Sequence, residues 1–302
     1  MKKIAIVILH FVNKKQTQDC LDSINKLETK GLKVEVIIVN NNPKENLSNL
    51  ERKFNKFSFL KTGKNLGYAA GNNIGIKKAL KDKADFIFLV NNDTILDKGI
   101  LIELIKAADL NKEIGIFGPK IYFAPGYEFH KERYKKEEQG KVLWYAGGLI
   151  DWQNILASHQ GVDEVDFGQY DTSQQTDFVS GCAMFVKKEV FQKVGIFDER
   201  YFLYLEDVDF CRRAKMAGFN LFYIPQAKLW HANAGSSQVG GPLHDYYLTR
   251  NRLLFGLRYA KLKTKLALLR ESLRILFQGR PWQKIGVRDF YLRRFGQGSY
   301  ET

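Results

Sequence analysis

The chain of 302 residues is 45% hydrophobic and 26% charged, a balance that buries a full core and excludes an intrinsically disordered protein. Three cysteines (Cys20, Cys182, Cys211) are too few for a disulfide framework and form no CxxC pair, which fits a reducing compartment and excludes a zinc ribbon. The net charge of +14 is uneven, because residues 246–302 hold 13 Lys/Arg against three Asp/Glu while the body before them is nearly balanced.

The opening MKKIAIVILHF is basic, then apolar, with no small-residue cleavage site, and reads as a buried strand over Lys3–Leu9 rather than a signal peptide. Apolar residues at Cys20, Leu21, Ile24 and Leu27 predict a helix over Gln16–Leu27. VEVIIV, residues 34–39, predicts a second strand closed by the turn sequence Asn40-Asn41-Asn42-Pro43. Residues 57–61 suit a third strand, 71–80 a helix, 85–90 (DFIFLV) a fourth strand and 100–108 another helix. This alternation predicts an α/β fold with a mostly parallel, doubly wound, Rossmann-like sheet. Ligands in such sheets bind beyond the carboxyl ends of the strands.

Residues 115–177 are less regular, with a charged loop expected over Tyr127–Lys141. KKEVFQKV and Glu206–Ala217 read as helices and Phe219–Ile224 as a strand. Residues 246–277 are helix-rich. Leu262, Leu266, Leu269, Leu273 and Leu276 recur on one face, with Lys261, Lys263, Lys265, Arg270 and Arg274 around it. A basic amphipathic helix of this kind either lies on an anionic membrane or packs on the body with its charges in water. Nothing matches a nucleic-acid module, so nucleic acid is not an expected partner. No stretch approaches the ~18 apolar residues of a membrane span.

Asn91-Asn92-Asp93 follows FLV directly. It reads either as a turn or as an acidic strand end able to hold a hard divalent cation beside phosphates. Asn65, Gly67, Gly71 and Asn72 lie in NLGYAAGNN, where glycine permits close backbone approach and the following helix would aim free N–H groups at an anion. Glu206 and Asp207 open a helix, with Asp209 two residues on. Their pattern alone is consistent with helix N-terminal acids. Trp144, Tyr145 and Trp152 suit either sugar stacking or core packing.

Four blocks, IVILHF with QDCLDSI, VIIVNNNP with KNLGYAAGNNIGI, FLVNNDTIL, and the segment from FVSGCAMF to LWHANAGSS, together resemble family 2 glycosyltransferases with the GT-A fold. The resemblance covers roughly residues 3–237, and the fourth block is most similar to the rhamnosyltransferase branch. It implies a GT-A domain over 1–245 followed by a basic amphipathic helical region over 246–302. Asp93 corresponds to the last acidic position of a DxD-type motif that binds Mg2+ or Mn2+ on the donor diphosphate. Asn91 stands at the first acidic position and leaves one charge fewer for the metal. His231 matches a histidine that completes the metal or diphosphate site. His10, Phe11, Asn40, Asn65, Gly67, Gly71, Asn72, Asn91 and Asn92 map to donor binding, and Gly181, Asp209 and Trp144 to the acceptor side. Asp207 matches the general base, with Glu206 beside it.

The implied activity is inverting transfer of a sugar to a growing, lipid-linked bacterial surface polysaccharide. The branch points to L-rhamnose from dTDP-L-rhamnose, and the location is the cytoplasmic face of the plasma membrane. A UDP-hexose donor and a non-catalytic glycan-binding or scaffold member are the alternatives.

Overall fold

The computed structural model describes residues 1–232 and 240–300, so the end of the fourth sequence block, residues 233–237, lies outside the described residues. In chain order the elements are β1 (Lys2–His10), α1 (Lys14–Ile24), β2 (Leu32–Asn40), α2 (Ser48–Lys53), β3 (Ser58–Lys61), α3 (Gly67–Lys81), β4 (Phe86–Asn91), β5 (Thr94–Leu96) and α4 (Ile100–Leu110). Then follow β6 (Ile114–Phe123), β7 (Leu143–Tyr145), β8 (Gly148–Asp151), β9 (Leu156–His159), β10 (Gln174–Gln175), β11 (Ala183–Lys187), α5 (Lys188–Val194), α6 (Glu206–Met216) and β12 (Asn220–His231). Three helices close the chain: α7 (Pro242–Tyr259), α8 (Leu262–Gln278) and α9 (Pro281–Tyr291).

The main sheet runs β10-β12-β6-β11-β4-β1-β2-β3, with β5 added on β12 and β7 on β6. Strands β3, β2, β1 and β4 are mutually parallel, β11 runs against β4 and β6, and β12 lies parallel to β6. The continuous apolar run of β1 follows from burial on both faces. Ile4, Ile6 and Ile8 join one core cluster, while Ala5, Val7 and Leu9 join the other. Register brings strand ends to one rim, with His10 opposite Asn40 and Leu9 opposite Asn91. Because β11 starts with Ala183 opposite Val90, the Ser180–Cys182 segment before it arrives at that rim too.

Two strands depart from expectation. β6 is a ten-residue strand, buried throughout, in the stretch read as irregular. Its Pro119 and Lys120 hide it in the sequence. Lys120 is fully buried, held by Asp166 at 2.7 Å and Asp171 at 2.5 Å. β12 continues past Ile224 to His231, with a register shift between Ile224 and Lys228 where Pro225 interrupts the pattern. That continuation pairs His231 with Thr94 of β5 and so carries it to Asp93.

The C-terminal helices share the body's core. Leu253, Leu254 and Phe255 of α7, Leu268 of α8 and Val287 of α9 join the cluster that contains Val7 and Leu89. On α8, Leu268 and Ser272 are buried and Ile275 and Leu276 pack partly inward. Leu262 (71% exposed), Leu266 (58%), Leu273 (54%) and Phe277 (79%) are open to solvent. No helix among the described residues is long and apolar enough to cross a membrane.

Candidate active site

The site begins at the carboxyl end of β4. Asn91 N–H donates to the carbonyl of Cys182 at 2.9 Å, joining the Asn91–Asp93 turn to the Ser180–Cys182 segment. Asn92 spends its amide on structure, donating to Val12 O (3.0 Å) and Thr17 Oγ1 (2.8 Å). Asp93 Oδ1 lies 3.1 Å from His231 Nε2. Burial opposes a charge on His231, but Cys182 and Asp93 favour it more, and its pKa is pushed up to about 10. Trp144 sits edge-to-face on the His231 ring, centroids 4.6 Å apart, and touches His159 on its other side.

One residue further back from Cys182, Gly181 N–H donates to Asp207 Oδ2 at 2.7 Å. Asp207 Oδ1 accepts from the N–H of Val208 at 2.8 Å. The Gly181–Cys182 corner therefore touches the Asp93–His231 pair and the Asp207 carboxylate at once. Burial raises the Cys182 thiol pKa, His231 opposes this, and both Asp93 and Asp207 add to the rise. Two acidic groups 114 positions apart in the sequence thus converge on one corner of the rim.

Glu206 and Asp207 divide their roles by environment. Glu206 is buried, and its carboxyl is held well above the usual range, first by burial and then by the Asp207 charge. Burial raises Asp207 too, but the N–H groups of Gly181 and Val208 work against that. Of the pair, Glu206 is held more strongly toward its neutral form, and Asp207, which keeps some exposure and accepts two N–H groups, is the better placed to hold the charge.

The loop before this pair is strained. Phe202 (φ 63°), Tyr204 (φ 71°) and Leu205 (φ 69°) all adopt left-handed backbone, which costs about 1–3 kcal/mol each in a residue other than glycine. Phe202 O accepts from Tyr68 N (2.6 Å) and Ala69 N (3.2 Å), while Leu66 N donates to Asn41 Oδ1 and Gly67 N to Asn65 Oδ1. The expected cradle of free N–H groups at the start of α3 is thereby corrected: all four are taken within the protein, those of Tyr68 and Ala69 by the Phe202 loop and those of Leu66 and Gly67 by the side chains of Asn41 and Asn65. Tyr68 itself donates its hydroxyl to Gly181 O at 2.5 Å, facing the Glu206–Asp207 pair.

The remaining sequence candidates fall into two groups. At the end of β1, His10 is fully buried, with Nδ1 2.7 Å from Thr17 Oγ1 and Nε2 3.7 Å from Glu45 Oε2. Burial lowers its pKa, and Glu45 only partly offsets that. Phe11 beside it is exposed. Asn40 is occupied by its own turn, donating to Glu45 O and accepting from Asn42 N. Gly71 seats α3 on β1, since a Cβ there would meet Leu9 Cδ1 at 2.6 Å, and buried Asn72 donates to Tyr68 O. Asp209 is fully buried. Its carboxylate accepts from Arg213 (2.7 Å), Tyr259 (2.8 Å), Tyr201 (3.2 Å) and Arg258 (3.2 Å), which makes it a tie between α6 and α7. Sequence reasoning missed Asn41, Tyr68 and Glu45. Tyr68, inside the quoted NLGYAAGNN, and Asn41, inside VIIVNNNP, lie in blocks that could have pointed to them, and Glu45 lies outside the blocks.

A profile described as Glycosyl transferase family 2 matches residues 5–195. The chain belongs to that family. Among curated relatives of this family 2 chain, the N-acetylglucosaminyl-diphospho-decaprenol L-rhamnosyltransferase of Mycobacterium tuberculosis is 28% identical over 59% of this chain and 59% of its own length. The dTDP-rhamnosyl transferase RfbF of Shigella flexneri is 27% identical over 78% of this chain and 75% of its own. The chain therefore spans under two thirds of the mycobacterial relative's length. A crystal structure of GalNAc-T7 with UDP, GalNAc and Mn2+ superposes with a TM-score of 0.66 at 13% identity, covering 95% of this chain and 54% of that one. That likeness is one of fold, and the fold is GT-A.

For a divalent cation, the corner offers one carboxylate and one imidazole. No group of three or more His, Cys, Asp or Glu among the described residues could hold a metal unaided. His231 Nδ1 is buried with no hydrogen-bond partner among the described residues. Asp93, with His231 once its proton is displaced, fits a cation that takes its other ligands from phosphate and water, the usual habit of Mg2+.

Proposed function

We propose that the chain is an inverting glycosyltransferase that moves L-rhamnose from dTDP-L-rhamnose to a hydroxyl of a growing, lipid-linked bacterial surface glycan. The observation that carries this reading is the Gly181–Cys182 corner, which touches both the Asp93–His231 pair and the Asp207 carboxylate. Asp207 takes the acceptor hydroxyl's proton as that oxygen bonds to the anomeric carbon and the bond to the diphosphate breaks on the opposite face. Such a base contributes roughly 10²–10⁴-fold. Glu206, neutral beside it, keeps the single charge on Asp207. Asp93 and His231 would hold a divalent cation, which offsets the charge of the departing diphosphate when bound. The exposed Phe11 would meet the nucleotide base with His10 buried behind it, and Trp144, packed on His231, would face the sugars.

The mycobacterial and Shigella relatives are both named as rhamnosyl transferases, which favours rhamnose. In this reading residues 1–245 carry the transfer. Residues 246–302 dock the enzyme on the cytoplasmic face of the membrane through the exposed leucines of α8, where a polyprenyl-linked acceptor is reached. Asn91 at the first acidic position motivates the second reading, a glycan-binding member without turnover.

Release of nucleoside diphosphate across a panel of nucleotide sugars tests the donor. Turnover of dTDP-rhamnose is expected, and turnover of UDP-hexoses alone would remove rhamnose from the proposal. Asp207→Asn is expected to lose at least about 10²-fold in kcat while still binding dTDP. An Asp207→Asn enzyme as active as wild type removes Asp207 as base.

A further inference from the structure

Arg250 and Asn251 on α7 are fully buried. What they hold is the strained approach to α6. Arg250 Nη2 donates to Arg200 O (3.1 Å) and Tyr201 O (3.0 Å), and Nη1 to Gly296 O (2.8 Å). Its Nε donates to Asn251 Oδ1 at 3.0 Å, which fixes the amide's orientation. The Asn251 Nδ2 group then faces three acceptors of the loop, Tyr201 O (2.8 Å), Leu203 O (2.8 Å) and Tyr204 O (2.9 Å). The loop's remaining carbonyl, Phe202 O, is bound from the other side by α3, and the Phe202 ring stacks on Tyr247 of α7, centroids 5.1 Å apart. Each carbonyl from Arg200 to Tyr204 is thus accounted for, in a segment with three left-handed non-glycine residues that runs directly into Glu206 and Asp207.

We infer that Arg250 and Asn251 are positioning residues: they impose the strained Arg200–Leu205 conformation and thereby aim the Glu206–Asp207 carboxylates at the reacting hydroxyl. Backbone strain persists where surrounding contacts over-determine it, and it clusters at working sites. A guanidinium fork and a carboxamide suit this task because their donors are planar and fixed in direction. Without them the loop relaxes, α6 keeps its helix, and Asp207 loses its register with Gly181. The inference rests on the proposed role of the carboxylate pair and adds the device that aims it.

The test uses the full chain, with dTDP-rhamnose and water as the reactants, following released dTDP, and with dTDP binding measured separately by calorimetry. Asn251→Ala and Arg250→Lys are expected to lower kcat about 10- to 100-fold, the scale of a misplacement of about 1 Å. Their dTDP affinity is expected to stay near wild type, and the acidic limb of the kcat–pH profile to move. Asn251→Asp keeps the acceptor for Arg250 Nε but replaces the amide donors with an oxygen that faces the loop carbonyls, and is expected to lose at least as much as Asn251→Ala. Wild-type kcat and an unmoved pH profile in folded Asn251→Ala would overturn the inference. So would parallel loss of dTDP binding and fold in all three variants, since the pair would then serve folding alone. Asp207→Asn run alongside separates the two ideas: activity in that variant counts against the base, not against the brace.

Discussion

Glu206 and Asp207 are adjacent acids with different surroundings. Glu206 Oε2 is buried with no hydrogen-bond partner among the described residues, whereas both oxygens of Asp207 accept backbone N–H groups. A carboxyl whose folded pKa lies above its unfolded one holds its proton more tightly in the folded state. The stability it confers is fully present below the ordinary Glu value of about 4.3 and is lost as pH rises toward the raised folded value. Glu206→Gln removes this proton linkage. Its melting temperature relative to wild type is therefore expected to improve as pH rises from the ordinary Glu value of about 4.3 toward the raised folded value, at up to about 1.4 kcal/mol per pH unit within that window. Thermal melts across that range check it, and a gap between the two proteins that does not change with pH would show that Glu206 is not held neutral. Asp207 was readable from the ED motif. The division of charge within the pair was not, because it depends on the N–H of Gly181, which the sequence does not mark as a donor to residue 207.

Among the elements, α3 shows how a local sequence motif acquires a structural use different from its apparent one. Gly67 has φ +77°, and a Cβ there would stand 2.5 Å from Phe202 Cγ and 2.6 Å from Phe202 O. The glycine is needed so that the start of α3 can close on the strained loop. Gly67→Ala is expected to destabilise the fold by about 1–3 kcal/mol through overpacking and left-handed strain. It is also expected to lower kcat more than dTDP affinity, as read from urea unfolding and binding isotherms. Equal stability of the two proteins would mean that the α3–loop closure bears no load. The central strands β1 and β4 were legible because burial on both faces leaves an unbroken apolar run, and β2 because its buried second half, residues 36–39, keeps one. β6 was not, since its Lys120 is neutralised by Asp166 and Asp171 more than 40 positions away. Arg250 and Asn251 were invisible for a related reason: most of their partners are backbone carbonyls, which have no letter in a sequence.

At the scale of the whole molecule, the C-terminal helices have two opposite faces. α7 is internal, bracing the loop ahead of α6 and contributing Leu253, Leu254 and Phe255 to the common core. α8 uses Leu268 and Ser272 for that packing and leaves Leu262, Leu266, Leu273 and Phe277 exposed. Lys261, Lys263, Arg270 and Arg274 are exposed around this stripe, and the one acidic residue of α8, Glu271, is paired with Arg252 at 2.8 Å. An apolar stripe among bases that make no ion pair within the described residues fits an anionic lipid surface, where each Lys or Arg near the headgroups contributes about 1 kcal/mol. The full chain is expected to sediment with vesicles of phosphatidylcholine containing phosphatidylglycerol, and far less with phosphatidylcholine alone. Added salt should weaken the association, since the Debye length falls from about 10 Å at 0.1 M to about 3 Å at 1 M. The double variant Leu266→Glu/Leu273→Glu alters only exposed positions, so its melting temperature and dTDP binding should match wild type while vesicle binding is lost. Vesicle binding that survives in this variant would assign the membrane contact to another face, whereas loss of binding with turnover of dTDP-rhamnose in solution unchanged would separate docking from chemistry within one chain.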